Sequence, residues 1–344
     1  MRVLFSKFVI ALFVLCAVAT VFAQKPGPKA SPKPKDKSDC PEDKEKSDKE
    51  KLDKEESDKN EANAKTTENV VVAFCGGSGN VYVRGWDKSE VRAVSEKGSK
   101  LKFVATNANR DEGPATQVKI FLWDEDSPED NFSPCNGSSE IEIFVPRGAY
   151  VDLKTSEGDI NIENVNKAHL QSLSGSFSLR GVKSDTRAET TSGDITLDDS
   201  SGQVYLNAIS GSIDVRNVKQ NEGADSFKIK AQSGDISLER VNYLSVEASS
   251  VSGDVTWFGA LARGATYKLN TVSGDVTVVL PSDSSFTVKA TVMQGGEIIS
   301  DFQIKTASTV EVKRGPRQLK GTYGTGDATL DLIAVNGTVY LRKK

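Results

Sequence analysis

A short alternating pattern recurs nine times along this chain: a glycine, then apolar residues at plus two and plus four, with a small polar residue between them in the seven central copies. It starts at Gly79-Asn80-Val81-Tyr82-Val83, returns at Gly158, Gly175, Gly193, Gly211, Gly234, Gly253 and Gly274, and ends at Gly337-Thr338-Val339-Tyr340-Leu341. From Gly158 to Gly274 the spacings are 17, 18, 18, 23, 19 and 21 residues, the signature of a structural repeat. Plus two reads Ile160, Phe177, Ile195, Ile213, Ile236, Val255 and Val276; plus four reads Ile162, Leu179, Leu197, Val215, Leu238, Trp257 and Val278. A period of two predicts a half-buried strand after each glycine.

A second strand is predicted before each glycine. Minus seven carries residues such as Val151, Val204 and Phe227, minus five residues such as Leu153, Leu170 and Ile229, and minus three only small ones, Thr155 to Thr271. The small column marks a corner where the wall turns inward. At plus seven, Val165, Val182, Val218 and Val241 predict a third buried position after another turn. About five inward side chains per coil, stacked at roughly 4.8 Å, would bury one another although no coil could be stable alone. The expected fold is therefore all-β, a β-solenoid (single-stranded β-helix) of 17–23-residue coils.

Ordered structure is expected from Asn69, where Val72, Phe74 and Gly76 fall on the minus seven, minus five and minus three columns before Gly79. Between Gly79 and Gly158 the period is lost, and 90–95, 100–106, 116–123 and 139–145 read as antiparallel strands. They predict an N-terminal cap (69–148) over the solenoid (149–344), covering a strand edge that would otherwise invite aggregation. The charges of Arg342-Lys343-Lys344 are expected to protect the other end.

The remaining sequence is not globular in composition. Met1 to Ala23 has a basic start, an apolar run and Val21-Phe22-Ala23 before Gln24, the pattern of a secretory signal peptide. Cys16 lacks the small residues that would precede a lipoprotein site. Residues 24–68 hold twelve Lys against thirteen Asp plus Glu, a nearly neutral polyampholyte expected to stay disordered as a tether. A net charge of −4 gives no argument for nucleic acid. Export would leave three cysteines; Cys75 and Cys135 are the expected disulfide pair, with Cys40 free in the tether.

Catalytic chemistry is scarce. The one histidine, His169, alternates outward between Ala168 and Leu170, and no Cys-His or His-His spacing fits a metal. Ser-Gly-Asp recurs at 192–194, 233–235, 252–254 and 273–275, whereas a catalytic centre is needed once. Geometry explains it better: glycine takes a positive φ and Ser and Asp bond the local backbone. Asp159, Asp194, Asp235, Asp254 and Asp275 share the plus-one column, where stacked carboxylates could hold Ca²⁺, but Ser176 and Ser212 interrupt it. No catalytic residue, cofactor or metal ligand is assigned.

The run Gly77 to Val91 with its Gly85-Trp86-Asp87, then Val145-Pro146-Arg147-Gly148-Ala149, then the serial Ser-Gly-Asp-Ile/Val coils, resembles a bacterial domain family of unknown function labelled "putative adhesin". The likeness covers about residues 69 to 341. It implies a β-solenoid outside a bacterial membrane and brings no catalytic residues; the charged tether is outside the family pattern. The expected function is that of an exported, non-catalytic cell-envelope protein, in the periplasm, on the outer surface or secreted. Its repetitive face would contact a surface polymer, an envelope protein or another copy of itself. The alternative is a polysaccharide-active β-helix enzyme, a lyase or hydrolase, which would need a break in the repeat to form a cleft. The coils from Gly158 to Gly274 show no such break.

Overall fold

The computed structural model describes residues 61–96, 99–107, 113–124, 135, 137–221, 226–306 and 316–344. The signal peptide read at 1–23, the tether up to residue 60 and Cys40 lie outside the described residues. Every described residue falls in one compact unit.

The chain enters through β1 (Glu61–Gly76) and β2 (Val81–Trp86) and continues through β3 (Glu90–Ser95), β4 (Ser99–Thr106), β5 (Ala115–Asp124) and β6 (Ile141–Pro146). It then alternates strands of seven or eight residues with mostly shorter ones: β7 (Tyr150–Glu157), β8 (Ile160–Glu163), β9 (Lys167–Ser174), β10 (Phe177–Arg180), β11 (Asp185–Ser192), β12 (Ile195–Asp198), β13 (Gln203–Ser210), β14 (Ile213–Lys219), β15 (Phe227–Ser233), β16 (Ile236–Asn242), β17 (Ser245–Ser252), β18 (Val255–Phe258), β19 (Thr266–Ser273) and β20 (Val276–Leu280). The last strands are β21 (Phe286–Gln294), β22 (Ile298–Ser300), β23 (Lys305–Thr306), β24 (Arg317–Tyr323), β25 (Ala328–Asn336) and β26 (Val339–Lys343). No helix occurs among the described residues.

The fold is the β-solenoid that the repeat predicts. Even-numbered strands from β8 to β20 stack in parallel as sheet A, and odd-numbered strands from β7 to β19 stack in parallel as sheet B. Like columns pair with like: Phe177 with Ile195, Leu179 with Leu197, Leu170 with Ala188. The plus-two, plus-four and minus-five side chains are all buried, as are the four valines at plus seven. Burying each Ile, Leu or Val contributes about 1.5–3 kcal/mol, and that burial exists only when neighbouring coils close over it. Thr186 takes the minus-seven place in one coil, fully buried with its hydroxyl unpartnered among the described residues.

Both ends differ from expectation. β1 begins at Glu61, before the anticipated Asn69, because Glu61 to Lys65 pair antiparallel with β3 through backbone groups that polar composition does not forbid. The four strands expected in the N-terminal cap are present, and β3 and β4 do run antiparallel to their neighbours. β5 and β6, however, run parallel to β1 and β2 and form a further coil of the solenoid. The coil of β1 and β2 is therefore inserted between that coil and the coil of β7 and β8. The C-terminal end repeats the device: β25 lies between β19 and β21, and β26 between β20 and β22. Arg342-Lys343-Lys344 thus do not guard a terminal edge; Lys343 Nζ lies 5.1 Å from the Phe302 ring centroid and 5.6 Å from that of Tyr323. Phe286, Phe302 and Tyr323 pack edge-on or tilted at 4.8–5.7 Å and close the C-terminal core. Cys75 at the end of β1 and Cys135 before β6 are bonded, with their Cα atoms 4.8 Å apart.

Ile236 is fully buried between Ile213 and Val255. Ile236→Asp places an unpaired charge in that stack and is expected to abolish the parent thermal transition by unfolding several coils, read by circular dichroism. Because the disulfide closes a 60-residue separation, Cys75→Ser with Cys135→Ser should cost about 2–4 kcal/mol, and hydrogen exchange should show β4 and β5 opening before the central coils.

Candidate functional site

The glycine corner must be understood before any surface can be assigned, because it contains the Ser-Gly-Asp residues. Gly158, Gly175, Gly193, Gly211, Gly234, Gly253 and Gly274 all have positive φ. At Gly234, φ is +151° and a Cβ would fall 2.5 Å from the carbonyl carbon of Gly211; Gly193 stands in the same relation to Gly175. The glycines therefore form a column in which each coil's backbone rests on the previous glycine. Gly79 extends it at one end, and Gly337 then Gly296 at the other. The hydroxyls of Thr190, Ser250 and Thr271 donate from the minus-three column to the carbonyl of the preceding coil's glycine, at 2.8–3.3 Å.

The plus-one column is a ladder of side-chain acceptors. Oδ1 of Asp159 accepts from the Ser176 N–H at 2.8 Å, Asp194 from Ser212 at 2.7 Å, Asp235 from Asp254 at 2.8 Å and Asp254 from Asp275 at 2.7 Å. Asn80 starts it by accepting from the Asp159 N–H, and Asp275 extends it to Thr338. Ser176 and Ser212 continue it more weakly through their hydroxyl oxygens, at 3.2 and 3.4 Å. The sharp turn removes the plus-one N–H from the backbone ladder, and the side chain from the coil before it supplies the missing acceptor. Each acid is thereby committed to holding the next coil.

The turn expected before plus seven is a second corner, and its plus-six residues were not singled out in the sequence. Asn164, Asp199, Asn217 and Arg240 adopt φ of 46–58° there, with Gly181 at 70°. The enrichment in Asn, Asp and Gly was the available signal.

The outer face of sheet A is the most regular surface. Asn161, Ser178, Thr196, Asp214, Ser237, Thr256 and Thr277 lie in unbroken register, one per coil, Ser178 exposed and the others half-buried. Tyr82 and Tyr340 bound the row. His169 lies on the opposite sheet and is half-buried, not solvent-facing as expected. Its Nδ1 is 3.1 Å from the Tyr150 hydroxyl, and its Nε2 is enclosed and unpartnered among the described residues. Burial, then Asp152 and Asp185, push the Tyr150 hydroxyl above its ordinary pKa, with Arg187 opposing. Burial likewise raises Tyr267, whose hydroxyl oxygen accepts from the Ala262 N–H. Tyr267 is fully buried edge-on against Trp257, with ring centroids 4.6 Å apart.

The sequence profile of the Toastrack DUF4097 family matches residues 78–342, in agreement with the resemblance read from the repeat. Among solved structures the chain is similar to one from Clostridium sporogenes described as a putative cell adhesion protein (12% identity, 83% of this chain and 99% of that one, TM-score 0.23). It is similar also to one from Bacteroides fragilis described as a putative adhesin (14% identity, 83% and 96%, TM-score 0.35). A third, from Parabacteroides distasonis, is described as a putative lipid binding protein (10% identity, 82% and 96%, TM-score 0.36). No curated protein matches.

Gly234→Ala forces strain and a backbone clash together and should lower the thermal midpoint more than any single plus-one change. Asp254→Asn keeps an acceptor but loses its charge and should cost less than Asp254→Ala, which should cost about 1–2 kcal/mol. Chemical denaturation of the three variants checks the order.

Proposed function

This chain belongs to the Toastrack DUF4097 family, and we propose that it acts as an exported, non-catalytic protein of the bacterial envelope. Its sheet A face would make repeated weak contacts with an extended surface polymer or an envelope protein. The observation that carries the reading is the unbroken row from Asn161 to Thr277, flat and small in every coil. Such a row matches an extended, repetitive ligand, whereas a small substrate needs a concave site.

Export is supported by the residue pattern of 1–23 and by the Cys75–Cys135 bond, of a kind that persists in oxidising compartments. A non-catalytic role is supported by the commitment of the recurring acids to stacking, since Asp159, Asp194, Asp235, Asp254 and Asp275 each accept a backbone N–H of the next coil.

A glycan array with the full chain tests the reading. Single changes such as Thr196→Ala should weaken binding only roughly twofold, whereas deleting residues 176–211, which rejoins Gly175 to Ser212 in register, should weaken it far more than additively. Turnover of any glycan, abolished by one carboxylate substitution in a folded protein, would overturn it.

A further inference from the structure

Beside the small polar row, sheet A carries a second outward column whose charges alternate. In register order it reads Arg84, Glu163, Arg180, Asp198, Arg216, Glu239. An aromatic residue ends it on each side, Phe144 next to Arg84 and Phe258 next to Glu239. Contacts within the chain use this ladder only in part. Arg180 turns to Asp199 at 3.0 Å and Arg84 to Glu142 at 3.1 Å, Asp198 accepts from the Asn217 side-chain amide at 3.0 Å, and Glu239 pairs with Arg240, while Arg216 approaches Asp214 and Glu239 only at 3.8 and 3.9 Å. The Arg84, Arg180 and Arg216 side chains remain 54%, 65% and 50% exposed.

An alternating ladder of even length is complementary to its own reversal. Rotated by a two-fold axis that runs parallel to the strands above the outer face, over the gap between β10 and β12, Arg180 faces the partner's Asp198, Glu163 the partner's Arg216 and Arg84 the partner's Glu239. Phe144 then meets the partner's Phe258. In the adjacent row the same operation sets the bulky Tyr82 against Ser237, and Ser178 against Thr196, so the faces also match in relief. A copy docked with parallel solenoid axes and the two charged columns superposed would set like charges opposite one another, which selects against that arrangement.

We propose that the outer face of sheet A docks onto the same face of a second copy, giving an isologous dimer with antiparallel solenoid axes. This rests on the reading of that face as the contact surface and names one partner for it. Eight coils at about 4.8 Å and strands of about 3.3 Å per residue give about 500 Å² per partner, below the roughly 800 Å² of a standard interface. The dimer is accordingly weak, reversible and sensitive to salt.

Sedimentation velocity on the full chain tests it. Wild type should associate at low ionic strength and dissociate in about 0.5 M salt. Arg180→Asp or Asp198→Arg alone places like charges across the axis and should weaken self-association roughly tenfold or more. An equimolar mixture of the two variants sets Asp against Arg at both positions and should recover a heterodimer; both changes in one chain should also dimerise. Because each variant gains like-charge neighbours within its own sheet and Arg180→Asp also loses the pair with Asp199, a retained cooperative transition, with the midpoint restored when both changes stand in one chain, excludes a folding defect. A wild type that stays monomeric at low salt, or a mixture that fails to associate where wild type does, would overturn the proposal. Glycan binding by the Arg180→Asp variant is read in parallel: if it persists while wild type proves monomeric, only the dimer falls, and if neither is seen, the contact-surface reading falls with it.

Discussion

The close approach of backbones at the glycine corner governs the rest of this structure. One coil can settle on the next only where no Cβ intervenes, and a Cβ at Gly193, Gly211, Gly234 or Gly253 would fall 2.5 Å from the carbonyl carbon of the glycine below. That approach lets the corner keep the axial spacing that strand hydrogen bonding sets in both sheets, and the spacing allows Ile195, Ile213 and Ile236 to stack as one buried column. The small residues at minus three follow from the same restriction, since the wall is narrowest there. Their hydroxyls satisfy carbonyls that the turn has left exposed to the interior.

The corner also accounts for what looked like chemistry. Serial carboxylates suggest a metal or a catalytic acid, yet each is used as a hydrogen-bond acceptor at 2.7–2.8 Å for an amide of the following coil. A charge-assisted bond of this type is stronger than the serine equivalent. The interruptions at Ser176 and Ser212 keep Asp159, Asp194 and Asp235 from stacking directly on one another, which spares part of the like-charge repulsion. The corner carboxylates are thereby occupied in stacking.

The ends of the solenoid show how an open stack of strands is kept from growing. The first and last coils in sequence are inserted one layer in from each end, and the outermost layers come from segments that the chain traverses between them. Antiparallel strands β4 and β24 then cover sheet B, and short strands such as β23 leave little edge to template a neighbour. Insertion also means that each terminal coil is held on both sides.

The sequence by itself determined the coil, its inward columns, the glycine corner and the parallel register, because each depends on side-chain size and alternation within about twenty residues. The Asn, Asp and Gly at plus six were equally local and readable. Three things belonged to tertiary structure alone. Insertion of β1 and β26 between other coils depends on which backbone edge is open when the chain returns, and local pattern holds no record of that. The start of β1 at Glu61 depends on pairing with β3, since its polar residues carry no strand signal of their own. The alternation of Arg84, Glu163, Arg180, Asp198, Arg216 and Glu239 becomes a surface only when stacking sets residues tens of positions apart side by side; charge order along a chain has no geometric meaning until the coil closes.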